Sequence, residues 1–253
     1  MSGTVSVLIA AGFGLIAGIG ITAVGPGGVF ATVGLFLASG LSPAEVAGTA
    51  IVTHLATGAL GSVAYHRSGQ LRHRETRRVA LVLAVTAVAG TPVGVFLNSV
   101  APGQLFGVLL AAFLVAIALL VWFRARPGTA DGADPHHPAA LLVCTGLGVA
   151  VAGGMFGVGG PLLTVPLLVL AGTPVLSALG AAQAQSVVVA GVGTLSYLGR
   201  GTIDWPLALA VGLPELCGVL IGWKVAHAVP SRILKRVMII ALLISAGLVG
   251  IHG

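Results

Sequence analysis

The sequence predicts an all-α integral membrane protein made of two inverted-topology repeats. Each repeat has about five helical segments, including one short or re-entrant helix after a glycine break. Three observations carry this prediction. Only 7% of the 253 residues are charged and 57% are hydrophobic, too little charge to cover a water-soluble domain, so the solvent is mostly lipid. Apolar runs of near-spanning length follow one another through the chain. The residues around Gly25-Pro26-Gly27-Gly28 also return, without a gap, around Gly157-Val158-Gly159-Gly160, at an offset of 132 positions.

The duplication includes the identical pairs Gly14/Gly146, Gly25/Gly157, Gly27/Gly159, Gly28/Gly160, Thr32/Thr164, Tyr65/Tyr197 and Gly69/Gly201. A chain rich in glycine and alanine produces some chance matches, but the shared tyrosine and the doubled glycine pair stand above them. Residues 1–123 therefore form the first membrane repeat and 139–253 the second. The segment 124–138, rich in Pro, Gly and Asp, is a cytoplasmic linker.

In chain order, apolar runs occupy about 4–24, 28–40, 44–65, 79–98 and 104–123, then 139–156, 161–172, 176–198, 206–228 and 232–251. Eight approach or exceed the roughly 20 residues of a spanning helix. The second and seventh are too short: about twelve helical residues rise only ~18 Å. Each short run directly follows a glycine break. The opening Met-Ser-Gly-Thr-Val lacks the positive stretch of a cleaved signal, so the first run is expected to be retained.

The basic residues lie between the runs, as in a protein that orients itself in a membrane, and not on a nucleic-acid-binding face. With the loop 66–78 (Arg67, Arg72, Arg74, Arg77, Arg78) in the cytoplasm, alternate crossings leave only Arg200 of the 12 Lys and Arg outside. Each half has an odd number of segments, so the halves enter the membrane in opposite senses and both termini lie outside. That is a common plan of secondary transporters, whose site lies near the midplane between broken helices.

A helix starting at Gly27-Gly28 presents unpaired N–H groups and the positive end of its dipole. Glycine permits positive φ there and close approach of a ligand. Two such starts facing each other would bind an anion without lysine or arginine. Candidate site residues are therefore Gly25, Gly27, Gly28, Gly157, Gly159 and Gly160. To these are added Thr53, His54, Gln185 and Ser186, polar at matching positions in both halves. Thr49 and Gln183 are at least as well explained by hydrogen bonds between helices. Glu215, deep in the ninth run, is the sharpest single signal. An intramembrane carboxylate must face the interior or a watery cavity, and with His54 it is the candidate for proton coupling.

Structural explanations suffice elsewhere. Ser42 and Glu45 read as a helix start, and Asp204-Trp205 as the interfacial start of the ninth helix. Cys144 and Cys217 read as small buried residues, and His136-His137 as solvated linker. Pro92 is a candidate repeat mate of Pro214. No cofactor or metal is expected. Small-residue faces would permit a homodimer.

The paired glycine breaks, Tyr65–Gly69 and Tyr197–Gly201, Ile203-Asp204-Trp205 and the Pro-x-x-x-Gly run from Pro214 to Gly218 resemble the sulfite exporter TauE/SafE family along nearly the whole chain. The resemblance implies an integral inner-membrane carrier for small anions such as sulfite or organosulfonates, with Gly27, Gly28, Gly159 and Gly160 as its motif positions. It implies a transporter and no enzyme. A soft-metal transporter using His54, Cys144 and Cys217, or a carrier of other small organic anions, is the alternative. An intramembrane hydrolase pairing Ser186 with His54 is a remoter one.

Overall fold

A computed structural model describes residues 3–123 and 137–252. These form ten α-helices: α1 (Gly3–Ala23), α2 (Val29–Ala38), α3 (Pro43–Arg67), α4 (Arg74–Val100), α5 (Gly103–Phe123), α6 (Ala139–Phe156), α7 (Pro161–Leu170), α8 (Val175–Leu198), α9 (Trp205–Ala228) and α10 (Ser231–His252). No strand occurs among the described residues. Six helices (α3, α4, α5, α6, α8 and α9) have both the length and the apolar composition to cross a bilayer. In α1 and α10 the described apolar stretches are Val7–Ala23 and Ile239–Ile251. The short helices are as expected: α2 and α7 have 10 residues each, a rise of ~15 Å.

The helix starts follow local chemistry. Ser42 accepts from the Glu45 N–H while the Glu45 carboxylate accepts from the Ser42 N–H at 2.8 Å, a capping box that opens α3. Asp204 accepts from the Leu207 N–H at 2.9 Å and opens α9. The segment 66–78 is not the open loop that its charge implies. Helix α3 runs on to Arg67, a 3₁₀ turn covers Gln70–Arg72, and α4 begins at Arg74. Hydropathy marks the membrane boundary, and arginine and glutamate are good helix formers that carry a helix past it.

The duplication reappears as paired contacts. Tyr65 Oη donates to the Thr22 carbonyl at 3.3 Å, and its mate Tyr197 donates to Gly154, the mate of Thr22, at 2.7 Å. Gly48 packs on Tyr197 and Gly180 on Tyr65; Gly61 packs on Gln183 and Gly193 on Ile51. Low residue numbers in α3 thus meet high ones in α8. The two mates run antiparallel and form the centre of the molecule.

Flanking them, α1 packs on α9 and α6 on α4 through backbone-to-backbone contact at glycines. Gly218 lies on Leu15 and Gly222 on Ile19, while Gly90 lies on Leu147 and Gly94 on Val151. This pairing sets the register of α9 on α4. Pro214 corresponds to Thr86 and not, as expected, to Pro92, and Glu215 corresponds to the buried Ala87. Close-packing glycines determine the register, whereas a proline without its N–H can be accommodated at several levels of a membrane helix.

Outward faces are apolar, with Leu81, Val85, Leu209 and Leu213 all exposed, as lipid contact requires. Trp122 near the end of α5 and Trp205 at the start of α9 are exposed at helix ends, where interfacial aromatics sit. Inside, Phe106 stands between Phe36 and Phe156 at centroid distances of 5.9 and 5.8 Å, tying α2 and α6 to α5. In the linker, His136 lies outside the described residues. His137 is not solvated: it is buried, its Nε2 lies 2.7 Å from Thr173 Oγ1, and its carbonyl accepts from Arg78 at 3.1 Å. Glu75, Thr76, His137, Thr173 and Ser177 border a cavity of about 10 Å³ there, room for one water and separate from the glycine breaks.

Candidate functional site

The chain turns from α1 to α2 through Gly25, at φ 105°, and from α6 to α7 through Gly157, at φ 70°. Left-handed backbone at these two positions reverses the chain at low cost only with glycine. The following glycines do not share that conformation, contrary to the sequence expectation. Gly28 has φ −58° and Gly160 φ −54°, so φ does not demand glycine at either, and close approach demands it at Gly27 and Gly160. A Cβ at Gly27 would overlap the backbone of Gly20 and Ile21, and one at Gly160 would lie 2.8 Å from the Ala182 carbonyl.

The two breaks meet. A Cβ built on Gly28 would lie 3.6 Å from the Gly159 N–H nitrogen. Neither α2 nor α7 has a side-chain cap. The Phe30, Ala31 and Thr164 N–H groups donate to the Gly27, Gly28 and Gly160 carbonyls, and Pro161 has no N–H. The N–H groups left to a ligand are therefore those at the breaks themselves, at Gly28 and Gly159, where the positive dipole ends of both helices meet. Each break also packs on the other half: Gly25 against Val165 of α7, and Gly157 against Ala47 of α3. Thr32 reinforces the joint by donating to the Phe156 carbonyl at 3.0 Å.

His54 lies beneath both breaks. Its Cε1 and Nε2 would be 3.1 and 3.3 Å from a Cβ at Gly28, and its Cγ 3.5 Å from one at Gly159. Its Nδ1 is 2.9 Å from Glu215 Oε1, and both side chains are fully buried. The pair does not meet hydrogen-bond geometry, so proximity alone joins them. Nε2 has no partner. Glu215 is held at this level because α1 crosses α9 closely at Gly18, where a Cβ would overlap the Glu215 backbone. A histidine between two helix N-termini, backed by a buried carboxylate, can offer a ring N–H or a ring nitrogen to a ligand at the breaks.

Most of the other expected site residues are near, though not all are free. Ser186 Oγ would lie 2.7 Å from a Cβ at Gly159. Gln185 is engaged at both ends: its amide oxygen accepts from Thr164 and its nitrogen donates to the Gly146 carbonyl at 3.4 Å. Thr53 donates to Ala50 of its own helix at 2.9 Å, and Thr49 accepts from the Asp204 N–H at 2.9 Å. Thr164 was not singled out in the sequence, although its identity with Thr32 across the repeat was a usable signal.

Both cysteines correct an expectation. Cys144 and Cys217 are exposed on the outer faces of α6 and α9, because a small thiol is tolerated against lipid. They cannot join His54 in one ligand set, and no group of three His, Cys, Asp or Glu suited to a metal occurs among the described residues. No hydrogen bond joins Ser186 to His54.

Proteins similar to this chain are named as transporters. The chain is 28% identical over 228 residues to the probable membrane transporter protein ORF9 of a Sinorhizobium species, covering 87% of this chain and 83% of that one. It is 28% identical over 241 residues to a probable membrane transporter protein of Xylella fastidiosa (92% and 90%), and 23% identical over 192 residues to the probable membrane transporter protein YdhB of Bacillus subtilis (74% and 77%). No solved structure matches it significantly. The family model described as sulfite exporter TauE/SafE matches residues 10–249. With that match over nearly all of an all-helical chain, the protein belongs to the TauE/SafE family and is a multi-pass membrane transporter.

Proposed function

We propose that this transporter exports small sulfur-containing anions, sulfite or organosulfonates, and binds them where the N-termini of α2 and α7 meet. One observation carries the reading: two uncapped helix N-termini converge on a buried histidine whose Nε2 has no protein partner. The anion's oxygens take the free N–H groups, and His54 supplies the positive charge. A proton on Glu215 leaves the His54 charge to the anion. Loss of that proton returns His54 to the carboxylate and releases the substrate.

The antiparallel pairing of the repeat mates α3 and α8 supports an inverted-repeat arrangement with the site near the midplane, and the distribution of Lys and Arg in the sequence supports both termini outside and the linker 124–138 inside. Rocking of the halves about α3 and α8 then alternates access. The breaks are buried from both sides, which fits an occluded state.

The test is thermal unfolding of the purified protein in detergent with sulfite, sulfate, thiosulfate, sulfoacetate, acetate, chloride and a divalent metal. A ligand of the folded state raises the melting point once its concentration exceeds Kd. Sulfite or a sulfonate is expected to raise it. If no anion does, the reading fails.

A further inference from the structure

The seam between α3 and α8 is a near two-fold, and one difference within it is chemical. At the mate positions 51 and 183, each side chain plugs a notch left by a glycine on the opposite helix. Ile51 fills the notch at Gly193, and Gln183 fills the notch at Gly61, where a Cβ would lie 2.7 Å from its Cδ. Both plugs are fully buried. Ile51 is apolar and at home there. Gln183 has neither its amide oxygen nor its amide nitrogen hydrogen-bonded, so the interhelical bond that would explain its polarity is absent. A buried, wholly unsatisfied amide is an expensive feature that the apolar residue of the other half would remove.

Its position gives it a role. Gly58 of α3 packs at Ser186 and Val187, bordering the central site, and Gly61 packs at Gln183. Gln183 is therefore about one turn, ~5 Å, from the site along α3, toward Arg67 and the basic segment. Resting on the proposed anion site, we infer that Gln183 is a second, transient anion contact. It is the plug on the basic-segment side, and when the α3–α8 seam opens its NH₂ group donates to the passing sulfite or sulfonate. On the opposite side the plug itself, Ile51, has no polar group to offer.

The experiment compares wild type, Gln183→Ile (the residue of the mate position) and Gln183→Asn. It reads the melting point without ligand, the sulfite-dependent rise in melting point, and radiolabelled sulfite flux in proteoliposomes. A hydrogen bond to a charged group is worth at least about tenfold in rate. Gln183→Ile is expected to melt no lower than wild type and to keep its sulfite-dependent rise while losing flux about tenfold. Gln183→Asn is expected to retain part of the flux.

Wild-type flux in Gln183→Ile overturns the inference. A lower melting point without ligand in both variants also overturns it, because the amide would then be structural. Absence of any sulfite effect on wild type refutes the central site instead, so the two failures are distinguishable.

Discussion

Gly28→Ala tests the central site most directly, because the new methyl enters the gap between the breaks and touches almost nothing else. Gly28 has right-handed helical backbone, so alanine adds no strain and typically contributes about 0.4–1 kcal/mol by restricting the unfolded chain. Against this, the methyl meets His54 at 3.1 and 3.3 Å, a contact that a shift of a few tenths of an ångström relieves. The variant should melt within about 4 °C of wild type.

Binding should suffer far more. The methyl occupies the approach to the Gly159 N–H and to His54 Nε2, and one lost hydrogen bond to a charged group costs about 1.5–3 kcal/mol. That is roughly 10–150-fold in Kd. At a sulfite concentration of about 100 times the wild-type Kd, bound ligand stabilises wild type by about 2.7 kcal/mol. The same concentration gives about 1.4 kcal/mol at a tenfold weaker site and about 0.4 at a hundredfold weaker one.

The assay is differential scanning fluorimetry across a sulfite titration, with Gly27→Ala as the contrast. At Gly27 the Cβ overlaps main chain, so that variant should lose about 1–3 kcal/mol of stability or more. An unchanged sulfite titration in well-folded Gly28→Ala would refute the argument that the breaks form the site.

Glu215→Gln imitates the protonated carboxyl beside His54. It should keep the sulfite-dependent rise in melting point while proteoliposome flux loses its dependence on the pH gradient; gradient-driven flux at the wild-type rate would remove Glu215 from the coupling. Tyr197→Phe and Tyr65→Phe each delete one buried hydrogen bond to a flanking helix. Each should lower stability by about 1 kcal/mol, read as melting temperature. Cys144→Ala and Cys217→Ala lie on outer faces. They should leave flux unchanged and stability within about 0.5 kcal/mol, and a loss of transport in either would contradict their placement.

Much of the helical plan is local information and could be read from the residues. Apolar runs, the breaks before α2 and α7, and the starts at Ser42-Glu45 and Asp204 depend on neighbours within a turn. The offset between Gly25 and Gly157 revealed the duplication because both halves kept the same glycines. Register between distant helices was not legible. The pairing of Pro214 with Thr86 follows from glycines packing on another helix's backbone, which no local pattern encodes.

The site divides in the same way. The order of residues alone shows a duplicated membrane protein with a histidine, a carboxylate and paired glycine breaks within its apolar segments. Bilayer thickness, helix termini and the cost of buried charge act residue by residue. Helix packing is what places His54 between both breaks with Glu215 behind it, engages Gln185, turns the cysteines outward, and buries Gln183 without a partner. Each of these depends on the rotation of one helix against another, and in lipid that rotation is set by close packing of small residues rather than by a hydrophobic stripe.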